Sequence, residues 1–129
     1  MSGMKIYDIQ FEDGSMPESH EVQTALFLKK HGRKVVFLAP KNQNRIRTPD
    51  IKMDGKLWEI KSPVSAGKRT MEHALRSVTK QSPNVIIDLR RCKLTDERAL
   101  HQISFTAKKR TALKRLLIIT KAQKIIDLK

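Results

Sequence analysis

Cysteine is almost absent from this chain, which has a single one, Cys92, among 129 residues. One thiol excludes a disulfide framework and a zinc site built from cysteines, and it is typical of a protein that works in a reducing compartment. Long apolar runs are also missing, since no stretch approaches the roughly 20 residues of a membrane-spanning helix. The N-terminal segment lacks the apolar region of a signal peptide. We therefore expect neither a membrane span nor a disulfide-stabilised fold.

Acidic and aromatic residues are few as well. Lys and Arg total 27 against 13 acids, which gives a net charge of +14 and a pI near 10.3, whereas aromatics make up only 5% of the residues. Such an excess of positive charge suits a polyanionic partner, above all a nucleic acid. With so few rings, we expect phosphate contacts and shape to dominate recognition over stacking of bases on an aromatic platform.

The stretch over residues 48–61, TPDIKMDGKLWEIK, predicts a tight β-hairpin. Asp54-Gly55 is a preferred pair for a two-residue type I′ turn, in which both residues need positive φ. A turn at this position pairs Met53 with Lys56 and Ile51 with Trp58. Because side chains alternate along a strand, two faces result: an apolar one with Ile51, Met53, Trp58 and Ile60, and a charged one with Asp50, Lys52, Leu57, Glu59 and Lys61.

Two carboxylates oppose each other on the charged face of this hairpin. The predicted register places Asp50 across from Glu59 at a Cβ separation of about 5 Å, and like charges in directly opposed positions destabilise a sheet. Lys61 lies two residues beyond Glu59 on the same side. A divalent cation is the simplest group that would offset the repulsion, so the pattern predicts a metal site.

The arrangement of Pro49, Asp50 and Glu59-Ile60-Lys61 resembles the PD-(D/E)XK nuclease superfamily. The resemblance implies a metal-dependent phosphodiesterase in which Asp50, Glu59 and the main-chain carbonyl of Ile60 hold Mg²⁺ or Mn²⁺. Lys61 would then orient or activate the attacking water. The family commonly has a glutamate on its first helix that points toward the metal, and Glu21 is our candidate for this role. An ordinary amphipathic hairpin with a solvated charged face is the competing interpretation.

The order of predicted elements is α-β-β-β-α-β-α-β-β, which indicates one α/β domain with a mixed central sheet flanked by helices. The domain covers residues 15–129, and residues 1–14 form an N-terminal arm or edge strand. A capping box at residues 15–18 is expected to start the first helix, which also accounts for Glu18 without chemistry. The remaining elements are expected as follows: helix to about His31, strand 35–38, the hairpin, helix 70–81, strand 85–89, a helix capped by Thr95, and strands 116–120 and 125–128.

Basic side chains outside the hairpin core are the candidates for contacts with nucleic-acid phosphates. The helix that follows the catalytic sheet often supplies such groups in the PD-(D/E)XK family, and a basic run ends the next predicted helix. The polar loop over residues 39–47 is a further candidate for substrate contacts. The predicted nucleic-acid-binding residues are Lys52, Lys68, Arg69, Lys80, Lys108, Lys109 and Arg110.

Over residues 20–63, the run HEVQTALFLKKHG, VVFLAP and TPDIKMDGKLWEIKSP resembles the C-terminal toxin domains of contact-dependent growth inhibition proteins, the CdiA-type tRNA nucleases. The resemblance implies a domain delivered from a cell-surface exoprotein into a neighbouring bacterium. There it would cleave tRNA in the cytoplasm as a monomer. It also implies a cognate immunity protein that inhibits the domain in the producing cell.

Three other functions stay open on the sequence alone. A structure-specific DNA endonuclease of the junction-resolving kind, acting as a dimer, has a similar size, charge and motif. A non-catalytic nucleic-acid-binding module would use the charged hairpin face for phosphate contacts, although opposed acids repel phosphates. A metal-independent ribonuclease would need two of the histidines, which are scattered in sequence, to converge. Metal dependence separates catalysis from binding, and substrate preference separates the two metal-dependent nucleases.

Overall fold

The structure, a computed structural model, describes residues 9–40, 49–76, 78 and 82–129. Contacts between residues divide the chain into two compact units, Met1–Ile60 and Lys61–Lys129. The predicted order of elements is confirmed, with one strand added before the first helix. The elements are β1 Gln10–Phe11, α1 Ser19–Lys30, β2 Val35–Phe37, β3 Ile51–Met53, β4 Lys56–Lys61, α2 Thr70–Ala74, β5 Asn84–Asp88, α3 Asp96–Lys109, β6 Arg115–Ile119 and β7 Ile125–Asp127.

The first unit contains a sheet of strands β1 to β4 in sequence order. Strand β1 pairs in parallel with β2, which makes part of the N-terminal segment the predicted edge strand, and the other pairs are antiparallel. The rings of Phe11 and Phe37 stack with their centroids 5.3 Å apart across the first pair. The rest of the predicted arm, residues 1–8, lies outside the described residues.

The β3–β4 hairpin has the predicted turn and register. Asp54 and Gly55 have φ values of 51° and 83°, and Ile51 pairs with Trp58 as Met53 does with Lys56. The carboxylate of Asp54 accepts hydrogen bonds from the backbone N–H of Lys34 and from Arg33, so the turn is tied to the start of β2. This interaction explains Asp54 without any role in catalysis.

The two faces of the hairpin also follow the prediction. Ile51, Met53, Trp58 and Ile60 are between 0% and 6% exposed. On the other face, Lys52 and Leu57 are exposed. Burial of an aliphatic or aromatic side chain contributes about 1.5–3 kcal/mol each, so the apolar face holds the hairpin against the unit's core and fixes the side on which the charged residues lie.

Helix α1 begins one turn later than the sequence predicts. Its N-cap is Glu18, and the capping box is formed by Glu18 and Glu21 rather than by residues 15–18. The backbone N–H of Glu18 donates to Oε1 of Glu21 at 2.7 Å. The two boxes overlap in sequence, and with the later one the buried residues of α1 become Thr24, Ala25, Phe27 and Leu28. Val22 and Leu26, apolar residues of the same helix, are only half-buried.

The second unit contains strands β5, β6 and β7, with a parallel β5–β6 pair and an antiparallel β6–β7 pair. All five residues of β5 are buried, as expected for a central strand of an α/β protein. Helix α3 has Thr95 as its N-cap, whose hydroxyl accepts from the backbone N–H of Arg98 at 3.2 Å. Ile103 and Ala107 of α3 pack into the core of this unit, which leaves the opposite face of the helix to solvent.

Helix α2 is much shorter than the predicted 70–81 and ends at Ala74. After it, Arg76 and Val78 donate their backbone N–H groups to carbonyls three residues earlier rather than four, so the chain tightens into turns. Leu75 and Val78 are nevertheless buried, which is why the apolar spacing continues past the end of the helix. Residues 77 and 79–81, including Lys80, lie outside the described residues.

Two further sequence expectations concern the loop and the membrane. Residues 41–47 of the proposed substrate loop, which spans residues 39–47, lie outside the described part of the chain. Among the residues that are described, no helix is long and apolar enough to cross a membrane.

Candidate functional site

The carboxylate of Asp50 is held by the backbone of strand β4. Its Oδ2 accepts a hydrogen bond from the backbone N–H of Ile60 at 2.8 Å. The Asp50 carbonyl accepts from the backbone N–H of Leu38 on the other side, at 3.1 Å. Asp50 is therefore fixed by both neighbouring strands, and its carboxylate lies beside the residue that follows Glu59.

Pro49 removes one backbone donor from the hairpin ladder next to Asp50. The hydrogen-bonded pairs of an antiparallel hairpin alternate with non-bonded ones, and counting from the turn makes Pro49 the residue that would exchange bonds with Ile60. Proline has no N–H to donate. The Ile60 N–H bonds to the Asp50 carboxylate, and the Ile60 carbonyl, which points to the same side of the strand, receives no ladder bond from Pro49.

Glu59 lies on β4 with only 1% of its surface exposed. Ile51 pairs with Trp58, so the next position along the hairpin places Glu59 beside Asp50. A carboxylate at this depth is stabilised only by hydrogen bonds, opposite charge or a metal ion. The burial of Glu59 on the otherwise polar face was not predicted, because it depends on what packs over that face.

Glu21 on α1 belongs to the same electrostatic group as Asp50. Burial raises the pKa of the Glu21 carboxyl above its ordinary value, and the negative charge of Asp50 raises it further, while the hydrogen bond from the Glu18 backbone opposes both. The Glu21 carboxylate thus caps α1 and interacts with Asp50. Capping of α1 explains Glu21 structurally, and its interaction with Asp50 is what the predicted role near the metal requires.

Lys61 is the last residue of β4 and is half-buried. Strand alternation places its side chain on the same face as that of Glu59. Lys61 also lines an open cleft of about 330 Å³ together with Ser65, Thr70 and His73. This cleft offers hydroxyl, imidazole and ammonium groups next to the last residue of the predicted motif. We call Asp50, Glu59, the Ile60 carbonyl and Lys61 the carboxylate site.

The donors of the carboxylate site fit a hard divalent cation. Mg²⁺ prefers oxygen ligands, usually takes one or two protein carboxylates and retains several waters. Asp50 and Glu59 supply that number of carboxylates from adjacent positions of a rigid hairpin, and the orientation of the Ile60 carbonyl adds a neutral oxygen. Among the described residues there is no cluster of three or more His, Cys, Asp or Glu side chains that could hold a metal. Such a larger cluster is typical of zinc rather than of magnesium sites.

Most of the predicted phosphate-binding residues that the structure describes line one groove in the second unit. The groove has a volume of about 570 Å³ and lies between the start of α2 and the outer face of α3. We call it the basic groove. Its residues used below are Lys68, Arg69, Gln102, Phe105, Lys109 and Arg110.

The remaining predicted phosphate contacts are placed differently. Lys108 is exposed at the end of α3 but does not line the groove, and Lys52 is exposed on β3 in the first unit. Within the groove, Arg69 forms an ion pair with Glu72 at 2.6 Å, and the hydrogen bond from Arg69 lowers the pKa of the Glu72 carboxyl. Arg69 is therefore partly neutralised, whereas Lys68, Lys109 and Arg110 lie around it.

Gln102 shapes the basic groove, a role that sequence patterns did not reveal. Its side-chain amide donates to the Gly67 carbonyl at 3.0 Å and accepts from the backbone N–H of Met71 at 3.1 Å. The two bonds tie the 67–71 segment, which carries Lys68 and Arg69, to the middle of α3. Because these partners are more than 30 residues apart, only the folded chain shows the connection.

The histidines do not form a pair for metal-independent chemistry within the described residues. His20 lies 3.3 Å from Glu18, and the His31 ring stacks on Phe27 with centroids 4.2 Å apart. His73 and His101 line separate clefts. The geometry therefore gives no support to the two-histidine alternative.

Comparisons with known proteins add a family and a fold. The family model of the contact-dependent growth inhibition CdiA C-terminal domain matches residues 47–125. Among solved structures, the chain is similar to one described as a CdiA-CT/CdiI toxin and immunity complex from Burkholderia pseudomallei, with a TM-score of 0.69 and 17% sequence identity over 93% of this chain and 98% of that one. No curated protein sequence matches this chain.

Proposed function

The chain belongs to the family of contact-dependent growth inhibition CdiA C-terminal domains, and from this premise we propose that it is a toxin that acts as a metal-dependent nuclease of the PD-(D/E)XK type. The observation that carries the nuclease proposal is the contact between Asp50 and the backbone of Ile60 beside the buried Glu59. Three consecutive β4 positions carry the Glu59 carboxylate, the Ile60 carbonyl and Lys61, and Asp50 adds the second carboxylate from the position before β3.

The residues of the carboxylate site have separate tasks. Asp50 and Glu59 would hold a divalent metal with the Ile60 carbonyl. When bound, such a metal neutralises phosphate charge and lowers the pKa of an attacking water. Lys61, on the same face as Glu59, would hold the water in position and stabilise the charge that develops on the phosphate. Glu21 would act from α1 through a water bound to the metal.

We propose RNA, and tRNA in particular, as the substrate. The supporting observations are the net charge of +14 and the grouping of four cationic side chains in the basic groove. The A-form backbone of a folded RNA is recognised by shape and by phosphate and 2′-hydroxyl contacts, which basic side chains supply. No feature of the described part of the chain favours DNA, and the junction-resolving alternative is kept as an outcome of the test.

We also propose a cognate immunity protein as a partner. The similar Burkholderia pseudomallei domain was solved in complex with an immunity protein, and a nuclease toxin has to be inhibited in the cell that makes it. Delivery into a neighbouring cell agrees with the family membership, and we propose that the domain acts in the cytoplasm of that cell. A second protein of opposite net charge would complement this basic domain, and inhibition by it would be an independent sign of toxin function.

The experiment is a cleavage assay on total tRNA and, separately, on duplex and branched DNA, each with Mg²⁺ or with EDTA. Glu59→Gln tests the carboxylate site, and Asp127→Asn, which neutralises an exposed acid on β7, is the control. Discrete tRNA fragments that disappear with EDTA and with Glu59→Gln, but not with Asp127→Asn, are the expected result. Cleavage of DNA alone would overturn the tRNA proposal, and absence of cleavage with Mg²⁺ or Mn²⁺ would overturn the nuclease.

A further inference from the structure

Phe105 is an exposed aromatic ring on a charged helix face. It is 63% exposed, although it lies in the middle of α3, whose buried residues Ala99, Ile103 and Ala107 form a different stripe. Its neighbours at helical spacing on the outer face are Arg98, His101 and Lys109, all exposed. This row spans about 16 Å at 1.5 Å per residue, with the ring between cationic groups.

The surroundings of Phe105 are fixed by specific contacts. The ammonium of Lys109 lies 4.1 Å from the centroid of the ring, within the range of a cation–π interaction. Across the basic groove, Gln102 ties down the segment that presents Lys68 and Arg69. Arg110 follows α3 as its C-cap and also lines the groove. The ring therefore lies inside a built cleft with four cationic side chains and one carboxylate.

We propose that the basic groove binds an unpaired stretch of a nucleic-acid strand, with one base stacked on Phe105 and the flanking phosphates on Lys68, Lys109 and Arg110. The inference rests on the proposed nuclease function and names the part of the chain that recognises unpaired nucleotides of the substrate. Every base has a π-face, so stacking does not depend on its identity, and the phosphates on either side would supply negative charge to the cations that Glu72 does not neutralise. A paired strand would present no free base face to the ring.

Charge favours a nucleic-acid strand over an apolar peptide as the occupant. An exposed phenylalanine can bind either, but an apolar segment would cover Lys68, Lys109 and Arg110 without offering them negative charge, at a cost in desolvation. A phosphodiester strand provides both an aromatic face and negative charge at regular intervals. The low aromatic content of the chain limits this stacking to one position, so it adds to the phosphate contacts and does not replace them.

Binding measured in EDTA with Phe105→Trp tests the inference without requiring cleavage. The native Trp58 is only 6% exposed, so the indole added at position 105 reports on the groove. Quenching is expected when a single-stranded RNA or DNA 10-mer is added, and little quenching is expected with an abasic phosphodiester of the same length. The RNA and DNA arms show whether the 2′-hydroxyl contributes.

Affinity measurements with Phe105→Ala complete the test. The variant is expected to bind the base-bearing 10-mer about 5- to 150-fold more weakly, as for the loss of one base–aromatic stack, and to bind the abasic strand as the wild type does. Met16→Ala, which truncates an apolar side chain that is 83% exposed, should bind both strands normally. Equal affinities of Phe105→Ala and wild type for the base-bearing strand, or equal quenching by abasic strands, would overturn the inference. Because no cleavage is measured, that failure is distinct from failure of the nuclease proposal.

Discussion

The β3–β4 hairpin and the α2–α3 surface differ in charge, in burial and in how each is held in place. The carboxylate site has one buried acid, Glu59, and a second acid, Asp50, that accepts a backbone hydrogen bond within the same hairpin. The basic groove has its cations just before α2 and at the end of α3, and the segment before α2 is held by the long-range contacts of Gln102. The first arrangement is suited to chemistry and the second to binding, so substitutions in the two regions should affect different measured quantities.

The largest effect is expected from Glu59→Gln. The substitution preserves the shape of a buried side chain and removes its charge, so the fold should persist while metal binding is lost. We expect the single-turnover cleavage rate to fall by about 10³-fold, the upper range for removal of one electrostatic group that stabilises a transition state.

The control for this prediction is Glu97→Gln, which neutralises an exposed glutamate in the first turn of α3. It should cleave at the wild-type rate. A Glu59→Gln protein that is folded by circular dichroism and still cleaves normally would remove Glu59 from the chemistry.

Lys61→Ala should lower the cleavage rate by about 10²-fold, as expected for the loss of one positioned proton-transfer or charge-stabilising group. The Kd for tRNA in EDTA should change far less, since one phosphate contact contributes little to overall affinity. Lys56→Ala, at the exposed start of the same strand, is the matched control. Equal losses of rate in the two variants would show that Lys61 acts only through general electrostatics.

Neutralising Lys108, Lys109 and Arg110 together, at the end of α3, should weaken the binding of tRNA and leave the chemical step intact. The slope of log K against log salt is expected to fall by about 2 to 3, because each phosphate contact contributes about 0.7–0.9. The single-turnover rate at saturating protein should stay near that of the wild type. A slope that does not change would mean that this run does not contact phosphates.

The smallest effect is expected from Glu21→Gln, which keeps an acceptor for the capping bond from Glu18. The pKa of the Glu21 carboxyl is raised in the folded protein, so the fold favours the protonated side chain. The stability that this side chain contributes is present below about pH 4, the ordinary pKa range of a glutamate, and is lost as the pH rises through the raised pKa. At neutral pH the variant should therefore unfold at the same temperature as the wild type or slightly higher, and the difference should disappear toward pH 4. A clear loss of stability at pH 7 would show that the cap needs the charge.

The features of the β3–β4 hairpin that the sequence predicts correctly depend on residues close together in the chain. The Asp54-Gly55 turn sets the pairing of the hairpin, and the two-residue period of a strand then assigns Ile51 and Trp58 to one face and Glu59 to the other. The position of the capping box was wrong because residues 15–18 and Glu18 with Glu21 offer overlapping choices. Only the packing of α1 decides between them.

What the sequence could not predict depends on contacts between distant residues. The apolar spacing through Leu75 and Val78 suggested a long α2, yet the turns after Ala74 bury the same side chains. The exposure of Phe105 follows from which face of α3 packs inward, and Ile103 two residues earlier gives no sign of it. Phe105 lies four residues after His101 and four residues before Lys109. An aromatic residue with basic residues at both of these spacings is the pattern that would identify such a position in another chain.

The most direct test of the account is whether a divalent metal binds at the carboxylate site. Mn²⁺ is added to ¹⁵N-labelled protein, and paramagnetic broadening of backbone amide signals is followed in the wild type and in Asp50→Asn, which keeps an acceptor for the Ile60 N–H. We expect the signals of Ile51, Glu59 and Ile60 to broaden first in the wild type. Excess Mg²⁺ should restore them, and Asp50→Asn should lose the effect. Unchanged hairpin signals, or equal broadening in the variant, would contradict a metal-dependent site at Asp50 and Glu59.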